Sequence, residues 1–296
     1  MHRYYQAIGF SNLKNKRDLM KLVNDVVDYN FTSVMTATVG DTLYADYVKE
    51  FAPGMGIVIS GEMDDMHEFD YDYCFPYVEG SSIASKEKSV IGRHSDKVSF
   101  AGICEDSKVG ISIIYYLMDR IDFLSHHDYA KEKEVKKNLV LSGLSLQGTI
   151  MMPIIKNEAE KSDLEKKDKK RYKLIEAARQ GDEDALETLT LDDMDFYSTI
   201  TQKVKKHDVY SLVDSSFMPY GMECDQYSVL GEITELTELE NSLTKEKVYK
   251  LTVECNGVPI VICINKKDLF GEPAIGRRFK GIIWLLGKLV DKSSHS

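Results

Sequence analysis

The stretch Ala274-Ile-Gly-Arg-Arg-Phe-Lys-Gly-Ile-Ile-Trp-Leu-Leu-Gly-Lys-Leu-Val290 predicts the last strand of the protein. Its apolar and basic residues alternate, as in a strand with two different faces. Two β-rich runs, Lys247–Asn256 and Val258–Asn265, precede it and are separated by the hairpin signal Asn256-Gly257. An earlier run, Ser228–Leu239, supplies a fourth strand. These glycine-punctuated strands predict a small OB-like β-barrel.

The run Val258–Asn265 is apolar at almost every position. A strand exposed on one face would alternate, so we expect this one to be covered on both faces. The cover could be the helices of the middle segment, the N-terminal part of the chain or another chain. In each case the barrel is predicted to be a docking element.

The rest of the chain completes an α+β fold class. Residues 1–155 contain many strand-like runs and few helices without βαβ alternation, which predicts an antiparallel α+β domain. Residues 156–173 are mostly charged and mark a boundary. We therefore expect three parts: the α+β domain (1–155), a charged linker with a helical segment (156–224) and the OB-like barrel (225–296).

Composition limits the functions that this chain can have. Its 296 residues are 43% hydrophobic and carry a formal net charge of −10. That charge argues against wholesale binding to nucleic acids or acidic membranes, although a local basic patch remains compatible with it. The five cysteines form no Cys-x-x-Cys pair, and the N-terminus lacks the apolar core of a signal peptide. We expect a cytoplasmic protein without a membrane span and without a cofactor.

One group of residues contains the ingredients of a thiol enzyme. A cysteine nucleophile needs a nearby histidine that lowers the thiol pKa and takes its proton. Cys104 ends an apolar run, however, and a buried structural thiol is the more frequent situation there. The candidate residues of this pocket are Arg93, His94, Cys104, Glu105 and Asp106.

A second group lies on the last strand and could bind a partner or single-stranded nucleic acid. Basic residues beside the single tryptophan of the chain are typical of a single-strand-binding groove. The expected outward residues of the second barrel strand, Lys250, Thr252 and Glu254, offer no aromatic platform, which weighs against nucleic acid. The candidate binding residues are Arg277, Arg278, Lys280, Trp284 and Lys288.

Two other motifs have simple structural interpretations. Asn265-Lys-Lys-Asp268 has the shape of a guanine-specificity motif, but the sequence contains no phosphate-binding loop G-x-x-x-x-G-K-[ST]. We therefore predict that Asn265 caps a short helix. The acidic stretch 64–72 lacks the glycine turn and ligand order of a calcium loop, so no metal site is predicted.

Three stretches carry a resemblance to a known family: Tyr5–Ser11, Ala177–Ala185 and Phe217–Glu232. Together with Gly271–Leu285 they resemble a clostridial family catalogued only as a domain of unknown function. The resemblance spans the whole chain and implies a bacterial protein of Gram-positive anaerobes. It implies no activity, cofactor or catalytic residue.

The sequence favours a non-catalytic protein-binding or scaffold module that acts through its barrel. It contains no coherent catalytic set, so the prediction leans against an enzyme. The expected partner is a protein, or the barrel docks within its own chain. Two alternatives remain open: single-stranded nucleic-acid binding through the basic face with Trp284, and a thiol-dependent hydrolase that uses Cys104 and His94.

Overall fold

The computed structural model describes residues 3–291 except 14, 65, 67, 95–97, 107, 128–131, 155–169, 171–172, 179 and 193–212. The chain is mostly β, with a four-stranded antiparallel sheet and a larger sheet that closes into a five-stranded barrel. The strands are β1 (Ser33–Val39), β2 (Thr42–Ala52), β3 (Met55–Met63), β4 (Phe69–Val78), β5 (Ile83–Ser85), β6 (Ser89–Arg93), β7 (Phe100–Asp106), β8 (Ile111–Leu117), β9 (Lys133–Val135), β10 (Asn138–Met151), β11 (Ser216–Pro219), β12 (Gln226–Glu240), β13 (Lys247–Cys255), β14 (Val258–Asn265), β15 (Leu269–Phe270) and β16 (Arg278–Val290).

Helices are fewer and short. Two α-helices have defined bounds, α1 (Lys16–Asp25) and α2 (Arg120–His126), and residues 173–178 and 183–192 are also helical. Short non-α helical segments occupy Arg3–Ile8, Val26–Asn30 and Lys266–Asp268. None of the helices in the described part of the chain is long and apolar enough to cross a membrane.

The barrel has the strand order β12-β13-β14-β10-β16, and β16 pairs with β12 to close it. Neighbouring strands are antiparallel except β14 and β10, which run parallel. The predicted hairpin signal forms the turn between β13 and β14, where Asn256 and Gly257 have positive φ values of 52° and 77°. The two adjacent positive φ values are those of the tight hairpin turn that an Asn-Gly pair favours.

Strand β10 completes the barrel, although it lies before the charged segment. The sequence predicts a barrel made of residues 225–296 alone, with β10 in the domain of residues 1–155. The structure differs because β10 inserts between β14 and β16. A hairpin signal cannot reveal such a neighbour, since parallel strands need a long connection. The domain boundaries at 155/156 and 224/225 stay a prediction.

Strand β14 is covered on both faces. One face fills the barrel interior, and the other lies in a second core with the four-stranded sheet, α1 and the start of the chain. The Cys263 thiol on this second face donates to the carbonyl oxygen of Ala7 at 3.4 Å. The interior residues are Ile260, Ile262 and Ile264. The chain itself therefore supplies the cover that the apolar sequence of β14 requires.

A buried ion pair joins the four-stranded sheet to α2. Arg120 Nε donates to Asp46 Oδ1 at 2.8 Å, and the rest of its guanidinium donates to the carbonyl oxygens of Val98, Ala45 and Gly61. Burial raises the pKa of the Asp46 carboxyl against the opposing effect of Arg120. Because both side chains are buried, removal of either one would leave an uncompensated charge.

Candidate functional site

Trp284, the expected base-stacking residue, lies in the core. Its exposed fraction is 3%, and its indole N–H donates to Asp225 Oδ2 at 2.7 Å. The ring of Tyr4 stacks on it at 5.7 Å between centroids, and Tyr116 and Phe75 pack against it at 5.3 and 6.5 Å. A platform for single strands needs an open ring face, so Trp284 offers none.

Arg278 donates hydrogen bonds to two separate parts of the backbone. Its Nε donates to the carbonyl oxygen of Met152 at 3.0 Å, and its Nη1 donates to that of Val213 at 2.8 Å. These acceptors lie where the chain leaves β10 and where it returns towards β11. The neighbouring Arg277 donates to the carbonyl oxygen of Glu272 at 2.7 Å within its own turn. Both guanidinium groups therefore bind the protein's own backbone.

The lysines of the predicted basic face are also separated. Lys288 forms an ion pair with Glu79 at 3.4 Å, and Lys280 is half-buried near the opposite end of β16. With Trp284 in the core and Arg278 buried, the structure does not bring the five candidate residues together as one exposed surface.

The predicted thiol and histidine do not meet. Cys104 is fully buried, its Sγ lies 3.6 Å from Ser85 Oγ, and burial raises the pKa of its thiol. In the β6–β7 pair Cys104 is opposite Ser89, whereas the backbone N–H of His94 donates to Ser99 at the other end. Five residues of strand separate these positions, about 17 Å. The geometry provides no thiolate–imidazole pair.

The other members of this group have separate surroundings. Arg93 and Glu105 are exposed, whereas Asp106 is buried. Asp106 Oδ1 accepts from the backbone N–H of Lys108 at 2.9 Å and so stabilises the turn between β7 and β8. These residues do not form a pocket with Cys104 and His94.

Asn265 caps a helical turn and also holds the start of the chain. Its Oδ1 accepts from Lys267 N at 3.3 Å, which confirms the predicted cap. Its Nδ2 donates to the carbonyl oxygen of Gln6 at 3.2 Å and to Glu246 Oε2 at 2.6 Å. The Ser11 hydroxyl also donates to Glu246 at 2.6 Å. Residues Arg3–Ser11, called the N-terminal segment below, are thus fixed on the outer side of the barrel.

Burial opposes ionisation of Glu246, but this network outweighs it. Hydrogen bonds from Ser11, Asn265 and Lys267 lower the pKa of the carboxyl group. The cap was visible in the sequence as an asparagine after a strand. The contact of Asn265 with the N-terminal segment was not visible, because its partners Gln6 and Ser11 lie more than two hundred positions away in the chain.

An open groove lies between the N-terminal segment, α1 and the turn that joins β12 to β13. Its volume is about 360 Å³. Leu243, at the tip of the turn, is 58% exposed. The apolar residues of the groove are Phe10, Leu13, Leu22 and Leu243, and its charged residues are Asp18, Lys21 and Asp25. The sequence analysis missed it, although an exposed leucine within a polar turn, Asn241-Ser-Leu-Thr244, was a usable signal.

The acidic stretch 64–72 begins after β3 and continues into β4. Asp64 Oδ1 accepts from the backbone N–H groups of Met66 and Glu68 at 2.9 and 2.7 Å. Asp65 and His67 lie outside the described residues. Among the residues that are described, no three His, Cys, Asp or Glu side chains converge as metal ligands.

A comparison with protein families gives one match. The family model described as "Domain of unknown function, E. rectale Gene description (DUF3881)" matches residues 5–287. This match spans nearly the whole chain and confirms the resemblance to a clostridial family of unknown function. No curated protein and no solved structure matches the chain.

Proposed function

Because the chain belongs to the DUF3881 family, whose description assigns no activity, we propose its function from its geometry. We propose that it is a non-catalytic protein-binding module and that its OB-like barrel contributes the binding surface. The groove beside Leu243 is the observation that carries this proposal. An exposed apolar side chain facing a concave apolar surface is typical of a site that receives a side chain of a partner.

The barrel order supports an OB-like interpretation. In OB-folds the ligand face is formed by the second and third strands and by the loop between the first and second. Here β13 and β14 take these positions, and the N-terminal segment occupies the outer face of β14. The β12–β13 turn with Leu243 remains open beside it. A partner would therefore bind at the margin of this internal contact.

The chemistry of the candidate groups supports binding over catalysis. The Cys104 thiol is buried with a raised pKa and has no histidine beside it among the described residues. Trp284, on which the nucleic-acid alternative depends, is enclosed by aromatic rings. The apolar groove requires no reactive group, since it needs only shape and an apolar surface to bind a side chain.

A photo-crosslinking experiment tests this proposal. A benzoylphenylalanine residue replaces Leu243 in the full chain, which is expressed in its native host and irradiated. We expect a defined crosslinked protein on denaturing gels. The matched control carries the same residue at Ile275, which is 70% exposed but lies outside the groove.

The control decides the outcome. Crosslinking at position 243 and none at 275 would support a partner at the groove. The same bands from both positions would mean nonspecific contact, and an absence of bands at 243 would remove the groove from consideration.

A further inference from the structure

Within the described part of the chain, strand β1 has an open edge along its first four residues, Ser33–Thr36, which are exposed, whereas Ala37 is buried and α2 contacts the strand. It lies at the end of the four-stranded sheet and pairs with β2 without a register shift. Its sequence, Ser33-Val-Met-Thr-Ala-Thr-Val39, contains no charged residue and no proline. Val34 and Met35 are 38% and 41% exposed. Natural edge strands are usually protected by charges, prolines or bulges, so β1 is able to accept another strand.

An aromatic shelf, formed by Phe31, Tyr47 and Phe69, lies beside this edge. The Phe31 and Tyr47 rings meet edge to face at 5.4 Å, and the Tyr47 and Phe69 rings meet in the same way at 4.8 Å. Phe69 lies over Gly61, where a Cβ atom would stand 2.6 Å from its ring. Val34 of the edge is paired with Tyr47, so the shelf continues the same face of the sheet.

Acidic residues surround one end of this surface. Leu43 pairs with Met63, so the β1–β2 turn and the β3–β4 turn lie at the same end of the sheet. These turns carry Asp41, Asp64 and Glu68, which are exposed. Exposed carboxylates favour the approach of a cationic partner and disfavour an acidic one, including a second copy of this chain with its net charge of −10.

We propose that β1 and the aromatic shelf bind an extended basic peptide segment of a partner protein by strand addition. The backbone of the peptide pairs with the open edge of β1, and alternate apolar side chains lie on the shelf. Its lysine or arginine side chains lie near Asp41, Asp64 and Glu68. This surface is separate from the groove at Leu243, and the inference does not depend on the proposed function.

Fluorescence anisotropy with three labelled ten-residue peptides tests this inference on the full chain. The first alternates lysine with valine, the second alternates glutamate with valine, and the third is the lysine peptide with an N-methyl group on every backbone amide. N-methylation removes the donors that strand pairing needs but retains the charge. We expect binding of the first peptide and a loss of about tenfold or more for the third, as expected from one or two lost hydrogen bonds.

Two single-residue variants test whether the lysine peptide binds at β1 or at the groove. Val34→Lys adds a cation to the open edge and is expected to weaken the lysine peptide about tenfold, whereas Leu243→Ser, in the groove, is expected to leave it unchanged. Equal binding of the methylated peptide would reduce the interaction to charge attraction and overturn strand addition. Binding of the glutamate peptide, or no binding at all, would also overturn it. So would a wild-type dimer, seen by sedimentation, that Val34→Lys dissociates, because a second copy would then cover β1.

Discussion

The outer side of the barrel and the edge strand β1 both present apolar residues outside the barrel interior. The first is covered by other parts of the chain, whereas the second is partly exposed. The outward residues of β10, β14 and β16, here called the covered face, pack against the N-terminal segment, the four-stranded sheet and the β8–α2 corner. Strand β1 keeps exposed valine and methionine beside an aromatic shelf. We therefore expect the covered face to contribute to stability, and we propose that the open edge binds a partner.

Replacing one aromatic residue in each region gives the largest test of this difference. Trp284→Ala removes a buried ring with three aromatic neighbours and a hydrogen bond to Asp225. We expect the free energy of unfolding to fall by about 3–5 kcal/mol. Phe31→Ala, on the shelf, is expected to cost about 1 kcal/mol or less.

Urea denaturation followed by circular dichroism measures both changes. Equal losses in the two variants would mean that the shelf is part of the folding core, and the distinction between the two regions would then fail. Intrinsic fluorescence is unsuitable for this pair because Trp284 is the single tryptophan of the chain.

The sequence predicted that the last strand has two faces, but it did not predict what packs against the covered face. Alternation in the last strand correctly separated Phe279, Ile283 and Leu285, in the barrel interior, from Trp284 on the outer side. A period of two identifies two faces but does not tell what lies against each. Trp284 was therefore placed on an accessible basic face, although Tyr4, from the other end of the chain, stacks on it.

Features that depend on residues adjacent in sequence were predicted, whereas features that depend on residues far apart in the chain were not. The Asn256-Gly257 turn, the Asn265 cap and the double cover of β14 follow from residues adjacent in sequence and were predicted. The fifth barrel strand pairs with strands that come after the charged segment, and Arg278 binds Met152 and Val213, which lie 126 and 65 positions away. No local pattern in one sequence contains that information.

Asn265→Ala is the intermediate test, because it targets the network that holds the N-terminal segment on the covered face. The variant removes donors to Gln6 and Glu246, which leaves a partly buried carboxylate with fewer partners. We expect a loss of about 2 kcal/mol in stability and faster amide hydrogen exchange in residues 5–11.

Lys267→Ala is the matched control for Asn265→Ala. It removes a half-exposed ion pair to the same Glu246 carboxylate, 3.3 Å away, and is expected to cost about 0.5 kcal/mol or less. If both variants lost the same stability, or if exchange in the N-terminal segment did not change, the polar network would not be what fixes the segment.

The smallest expected effect concerns Asp119, where the β8–α2 corner meets β16. Its Oδ1 is buried without a hydrogen-bond partner among the described residues, beside a small cavity lined by Leu117, Phe123 and Leu289. Burial raises the pKa of Asp119 to about 7, despite opposing effects that include Lys288. The folded state therefore holds a proton that the unfolded chain loses near pH 4.

A group whose folded pKa is raised stabilises the protein at low pH and loses this contribution as the pH rises through the folded pKa. For Asp119 the wild-type free energy of unfolding should fall by about 1 kcal/mol between pH 6 and pH 8 through this group. Asp119→Asn keeps the size of the side chain but cannot ionise, so its stability should exceed that of the wild type increasingly over this range. Asp122→Asn, on the exposed side of the same corner, removes a charge that helps to raise the pKa of Asp119, so it should reduce the pH dependence without abolishing it. Parallel pH curves for the wild type and Asp119→Asn would mean that water reaches this carboxylate, and the β8–α2 corner would then belong with the open edge and not with the covered face.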